Sequence, residues 1–215
     1  RLAADTLAMS GGWSPSVHLT CHHGGKPVWQ EDIAAFVPGR TPPGLSVAGA
    51  ARGTYGLGDT LAEGARQGAE AAGALGFAAA LPDLPATEDT PAGITAFWHV
   101  QGSKGPAFVD QQNDVTAKDL GIAYKEGFRA VELMKRYTTL GMATDQGRTS
   151  NVNGLAIMAE LTGASIMETG TTIFRPPYTP VSLGVPGGHH RGKVFRPPRL
   201  TPTHAWAAEQ GAVFI

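Results

Sequence analysis

The residues able to do chemistry lie mainly in two short stretches. The first is Lys135-Arg-Tyr-Thr-Thr-Leu-Gly-Met-Ala-Thr-Asp-Gln-Gly-Arg-Thr-Ser-Asn151. In it Arg136, Thr138, Thr139, Arg148, Thr149, Ser150 and Asn151 supply guanidinium, hydroxyl and amide donors. A helix restarting near Ser150 would add the partial positive charge of its N-terminus. That combination suits a phosphate. The same residues also have a plain structural reading, in which Thr149 or Ser150 caps the helix while Arg136 and Arg148 pair with Asp145 or Asp114. The two readings stand side by side at this level.

The second stretch is Val47-Ala-Gly-Ala-Ala-Arg-Gly-Thr-Tyr-Gly-Leu-Gly58, small residues leading from an expected strand into a helix. Backbone amides and a helix N-terminus in that setting hold dinucleotides. The forward fingerprint G-x-G-x-x-G is absent; the spacing is Gly53-x-x-Gly56-x-Gly58, so an ordinary glycine-rich turn is the competing reading. His18, Cys21, His22 and His23 lack the four well-spaced ligands of a structural zinc site, and no metal is expected there or at His189-His190. No residue has the context of a general acid, base or nucleophile, so no catalytic group is assigned.

These stretches need elements to position them. Asp5 to Ser10, Lys26 to Trp29, Ala34 to Val37, Leu45 to Ala48 and Thr95 to Val100 read as short strands. Leu57 to Ala74 reads as a helix with Leu57, Leu61, Ala65 and Ala69 on one face, although Gly64 and Gly68 each cost it about 1 kcal/mol relative to Ala. Leu81 to Pro91 is Pro-rich and polar, the best linker. Thr116-Ala-Lys-Asp119 is a capping box starting a helix that stops at Gly127. Further helices are expected over Ala130 to Arg136 and from near Ser150 to Gly163, making a compact three-helix module. Thr171 to Pro180, Gly187 to His190 and Arg196 to Pro198 read as an extended, Pro-punctuated connector.

The bulk composition excludes several function classes. Of 215 residues, 42% are hydrophobic and 16% charged, with net charge −1, which gives no electrostatic case for nucleic acid or an anionic membrane. Cys21 stands alone, so no internal disulfide forms and a reducing, cytoplasmic setting is expected. No apolar run reaches membrane-spanning length, and Arg1-Leu-Ala-Ala-Asp5 does not read as a signal peptide. The absence of an initiator Met suggests a trimmed chain.

Phe108-Val-Asp-Gln-Gln-Asn-Asp-Val-Thr-Ala-Lys-Asp119, Lys135-Arg-Tyr-Thr-Thr139 and Gly141-Met-Ala-Thr-Asp-Gln-Gly147 together resemble the α subunit of the heterotetrameric sarcosine oxidase family and of relatives acting on other secondary amino acids. The likeness runs from Leu7-Ala-Met-Ser-Gly-Gly-Trp13 to Thr201-Pro-Thr-His-Ala-Trp206. It implies an α/β fold plus a small α domain. Residues 1–90 would be the end of a dinucleotide-binding (FAD/NAD-type) domain, and 91–168 a ferredoxin-like three-helix module of the [2Fe–2S] kind. Residues 169–215 would be a linker into an aminomethyltransferase-type, folate-binding domain. In such cluster modules cysteines stand where this chain has Asp110, Gln112, Asp145 and Ser150, and cluster binding needs thiolates. The resemblance therefore implies a scaffold kept and a cluster lost.

It implies NAD at Gly49, Ala50, Ala51, Thr54, Leu57 and Thr60, with Ala50 where two-dinucleotide flavoproteins carry an acidic residue. It implies FMN at an interface with a partner subunit, near the seven donors of the first stretch, and FAD and tetrahydrofolate elsewhere in a complex with β, γ and δ subunits. The chain would then hold cofactors and dock subunits in an oxidative demethylation, and would be inactive alone. Two other readings remain: a ligand-free interaction module, which the loss of acid at Ala50 favours, and a redox centre using Asp110, Asp145 and Cys21.

Overall fold

The computed structural model describes residues 3–6, 8, 11–88, 93–102, 104–172, 179–189, 192 and 199–214. The chain divides into two units, residues 1–179 and 180–215.

In the first unit, a one-turn helix α1 (His18–Cys21) precedes an antiparallel hairpin of β1 (Val28–Gln30) and β2 (Ala35–Val37). Ala34, left-handed at φ 47°, turns the chain between them after a 3₁₀ turn at Glu31–Ile33. A second 3₁₀ turn, Gly49–Arg52, leads into α2 (Leu57–Ala74). The hairpin β3 (Phe108–Asp110) and β4 (Val115–Thr116) then delivers the chain to α3 (Ala117–Lys125), α4 (Val131–Thr138), α5 (Asn151–Thr162) and the single turn α6 (Ile166–Thr169).

Helix α3 starts where the capping box requires: Asp119 N–H donates to Thr116 Oγ1 at 3.4 Å and Thr116 N–H to Asp119 Oδ2 at 2.8 Å. Thr139 ends α4 at φ 65°, and Gly163 ends α5 at φ 71°, left-handed conformations in which the helix cannot continue. Helix α5 is the central strut. Asn151, Gly154 and every residue from Leu155 to Ala159 are buried, as expected of a helix apolar on all sides. Gly154 lets Leu140 pack against it, since a Cβ there would run into the leucine side chain. Leu120, Met134, Leu140, Leu155 and Met158 are wholly buried, each contributing about 1.5–3 kcal/mol of transfer free energy. Phe36 and, more loosely, Trp29 and Trp98 join this same core, with Trp29 lying 5.2 Å from Phe36 and 6.1 Å from Trp98 between ring centroids.

Several expectations fail. Leu45–Ala48 and Thr95–Val100 form no strand, because an extended segment needs a neighbouring strand to satisfy its amides and no described residue provides one. Among the described residues there is consequently no strand feeding α2. The apolar face foreseen for α2 is only partly covered: Leu61, Ala65 and Ala69 are half-buried, Leu57 is 60% exposed, and Glu63 is the helix's sole buried residue. Of Asp5–Ser10, the described residues form no strand, and Leu7, Met9 and Ser10 lie outside the described residues. The connector expectation falls largely outside them too, at residues 173–178, 190 and 193–198. Within the second unit, α7 (Gly184–Gly187) and α8 (His204–Glu209) are short and wholly without buried residues. Among the described residues no helix is long and apolar enough to cross a membrane.

Candidate functional site

The two stretches that carry polar chemistry are each organised by a buried carboxylate. Asp110, at the irregular end of β3, is 2% exposed. Its Oδ1 accepts from the amides of Gln112 at 2.9 Å and Asn113 at 3.3 Å, and its Oδ2 accepts from the amide of Gly141 at 2.7 Å. One side chain thus closes the 110–114 turn on itself and ties it to the loop after α4. Asn113 Nδ2 donates to Thr139 O at 3.0 Å and Thr144 Oγ1 to Gln112 Oε1 at 3.0 Å, adding two stitches between the same loops.

Asp145 does the corresponding work at the start of α5. It accepts from Gly147 N at 3.1 Å, Thr149 N at 3.2 Å and Thr149 Oγ1 at 2.7 Å. Burial acts to raise this carboxyl, but the hydrogen bonds from Thr149 and from the Gly147 and Thr149 amides outweigh it and hold it below the ordinary Asp range. Asn151 is the third organiser: its Nδ2 donates to Thr172 Oγ1 at 3.0 Å and Gln146 O at 3.4 Å. Gly141 at φ 64° and Gly147 at φ 79° make room for that amide, which a Cβ at either position would strike.

Of the four positions expected to replace cluster cysteines, Asp110, Gln112 and Asp145 are engaged in hydrogen bonds that close the loops. The fourth, Ser150, is completely buried, and its Oγ finds no hydrogen-bond partner, as is also true of Asn151 Oδ1.

The seven donors of the first stretch do not act alike. Thr149, Ser150 and Asn151 sit together at the N-terminus of α5, yet Ser150 makes no capping bond with its side chain. Thr138 Oγ1 donates to Met134 O at 2.8 Å and Thr139 Oγ1 to Thr138 O at 2.5 Å, so both hydroxyl protons are spent on the backbone. Arg136 lies on the exposed side of α4, 4.0 Å from Glu132, and not against Asp145 or Asp114. Arg148 donates to Thr179 Oγ1 at 2.5 Å and lies close enough to His18 to help lower that imidazole's pKa, after burial and the neighbouring His22.

At the second stretch, the six expected contacts fall on the Gly49–Arg52 turn (Gly49, Ala50, Ala51), the link after it (Thr54) and the first turn of α2 (Leu57, Thr60). Gly49 is buried at φ 64° and donates its amide to Glu63 Oε2 at 2.9 Å, while Thr60 Oγ1 donates to Thr54 O at 3.0 Å. Glu63 Oε1 also lies 3.2 Å from Arg52 Nη1. A carboxylate from α2 thus holds this turn, which sequence spacing conceals because Glu63 looks like one more polar residue of a helix. Ala50 is exposed and Ala51 and Thr54 are half-buried around this carboxylate-held turn. Cys21 is half-buried, and burial pushes its thiol up, away from the thiolate that a metal would need. Among the described residues no three His, Cys, Asp or Glu side chains group as metal ligands would.

Comparison with known proteins gives this geometry its context. The sarcosine oxidase A3 domain family matches residues 104–189, the stretch holding both loops of the Asp110 network. The whole chain aligns with the sarcosine oxidase subunit alpha of Rhizobium meliloti (strain 1021) at 48% identity over 217 residues, 100% of this chain and 22% of that protein. The subunits alpha of Corynebacterium sp. strains P-1 and U-96 are each 40% identical over 223 residues, again 100% of this chain and 23% of theirs. Among solved structures, L-proline dehydrogenase from P. horikoshii superposes with a TM-score of 0.57 over 80% of this chain and 37% of that one, at 21% identity, which speaks to the fold alone. The chain belongs to the sarcosine oxidase α-subunit family, spanning 22–23% of the length of the relatives it matches.

Proposed function

We propose that this chain is a cofactor-holding and subunit-docking segment of a sarcosine oxidase-type complex and makes or breaks no bond itself. The carrying observation is the likeness along all of its length to sarcosine oxidase subunits alpha, at 48% identity in one case. In this reading the complex is a cytoplasmic, flavin-dependent heterotetramer with β-, γ- and δ-type partners. It oxidises sarcosine or a related secondary amine and passes the one-carbon unit to tetrahydrofolate. FAD and tetrahydrofolate bind outside this stretch, and the isolated chain is inactive.

Two cofactors would touch the residues described. NAD would lie at Gly49, Ala50, Ala51, Thr54, Leu57 and Thr60, as a bound dinucleotide with no catalytic task. FMN would lie where Arg136, Thr138, Thr139, Arg148, Thr149, Ser150 and Asn151 face a partner subunit, and would supply electron-transfer chemistry when bound. The orphaned Ser150 Oγ and Asn151 Oδ1 are the observation that favours a group at this end of α5. The guanidiniums of Arg148 and Arg136 carry the positive charge that would hold a phosphate.

A second reading, a ligand-free interaction module, is favoured by a specific feature. The Gly49 amide and the Thr60 hydroxyl, donors that a dinucleotide would use, are satisfied from within the chain. Native mass spectrometry of the purified complex, before and after denaturation, separates the two. Release of one NAD and of FMN from a complex holding partner subunits is expected on the first reading. Partner subunits with no released nucleotide would establish the second, and a chain that binds no partners at all would defeat both.

A further inference from the structure

Arg52, paired with Glu63, lines a cleft that none of the assignments above uses. The cleft has a volume of about 250 Å³, and Pro38, Thr41, Leu45, Ser46, Arg52 and Gln67 are among its walls. Its position follows from local structure. Gly44, left-handed at φ 81°, turns the chain at Pro42–Leu45, where Leu45 N donates to Pro42 O at 3.2 Å, and this presents Thr41 and Ser46 to the opening. Gln67 stands one helical turn beyond Glu63 on the same face of α2, so it borders the space that Arg52 enters.

The polar groups lining the cleft are uncommitted. The side chains of Thr41, Ser46 and Gln67 have no hydrogen-bond partner among the described residues. Arg52 has one, Glu63, and its side chain is 53% exposed while that of Glu63 is 9% exposed. A buried carboxylate requires a cation, and a guanidinium carries five N–H donors in a rigid fork. Glu63 engages the fork through Nη1 and is itself anchored by the Gly49 amide, so the guanidinium that lines the cleft is tethered while half of the side chain stays exposed. A planar cation with pre-paid orientation, beside two hydroxyls and a carboxamide, is matched to an oxyanion with several acceptor oxygens.

We propose that this cleft binds a phosphoryl group, with Arg52 as its cationic contact and Glu63 as the residue that positions Arg52. The group belongs either to a free phosphorylated metabolite or to the phosphates of a dinucleotide, and the proposal does not depend on the cofactor contacts proposed above.

The test is a titration of the ¹⁵N-labelled 215-residue chain with inorganic phosphate and, separately, with NAD at constant ionic strength, following backbone amides and the Arg52 Nε–H. Saturable phosphate shifts centred on Ser46, Arg52 and Gln67 are expected. Arg52→Lys, which keeps the charge opposite Glu63 but loses the fork, should weaken phosphate about tenfold. Gln67→Ala, which leaves the buried pair untouched, should weaken it about threefold. NAD that competes with phosphate for these residues identifies the dinucleotide as the source. Saturable phosphate shifts without such competition identify a free phosphorylated metabolite, whatever NAD does at Ala51 and Thr60. Shifts that do not saturate, or that neither variant weakens, overturn the proposal.

Discussion

The loop pair around α5 and the turn before α2 solve one problem in different ways. Each has glycine-rich backbone with amides that need acceptors, and each meets the need with a buried carboxylate from elsewhere in the chain. Asp110 faces three amides and, among the described residues, has no cationic side chain bonded to it. Glu63 faces one amide and one guanidinium that is half in solvent. The first arrangement is closed, and it sits on the core formed by Leu120, Met134, Leu140, Leu155 and Met158. The second lies on a helix of 18 residues with no other buried position, and it leaves a cation facing outward. A carboxylate satisfied by backbone fixes a loop; one satisfied by an arginine also presents that arginine.

The largest test of this contrast removes the closed carboxylate. Asp110→Ala strips three amides of their acceptor and should cost about 4 kcal/mol in chemical denaturation. A loss below about 1 kcal/mol would mean that solvent replaces the carboxylate freely and the loop pair is held otherwise. Next, Leu155→Ala in the core should cost about 3 kcal/mol, whereas Leu57→Ala on α2 should stay within about 0.5 kcal/mol. Equal costs would erase the distinction between the two regions.

Glu63→Ala should cost about 2 kcal/mol, less than Asp110→Ala because Arg52 is free to turn into water while only the Gly49 amide is stranded. The smallest effect concerns acid. The Asp145 carboxyl is held below its ordinary value of 3.8 in the folded chain, so its contribution is complete above that value and is lost as pH falls through the depressed one. Asp119 and Glu168 are lowered in the same direction by their capping boxes. Asp145→Asn should therefore lower stability at neutral pH by less than Glu63→Ala does, and progressively less below about pH 4, flattening part of the acid loss in thermal melts across pH 3 to 7. An acid limb identical to that of the unmodified chain would remove Asp145 from the account.

Local signals were readable where they were self-contained. Helix α2 runs from Leu57 to Ala74 as its composition implied, Thr116 and Asp119 form their capping box, and Gly163 stops α5. The hairpin residues around Ala34 also pair as strands. What was not readable depended on distance along the chain. Leu45–Ala48 and Thr95–Val100 have strand-like composition, but a strand exists only if a partner arrives, and among the described residues none does. Strands β3 and β4 are too short for an alternating pattern to show. The sequence marks Asp110 as the place of a lost cysteine or as a redox ligand, but not as a loop clasp; its bond to Gly141 spans 31 positions, which no local spacing rule reaches. Glu63 was hidden in the same way, 14 positions from Gly49. Among the donors of the first stretch, the hydroxyl protons of Thr138, Thr139 and Thr149 are spent on nearby carbonyls and on Asp145, which spacing does not reveal.

The most direct test of the central claim, that Asp110 closes the loop pair from within the chain, is hydrogen exchange at the Gly141 amide in the absence of any cofactor or partner. Closure by the buried carboxylate predicts exchange slowed about a thousandfold or more relative to an unstructured amide, and loss of that protection in Asp110→Ala. A Gly141 amide that exchanges freely, and slows only when a cofactor or partner subunit is added, would contradict it.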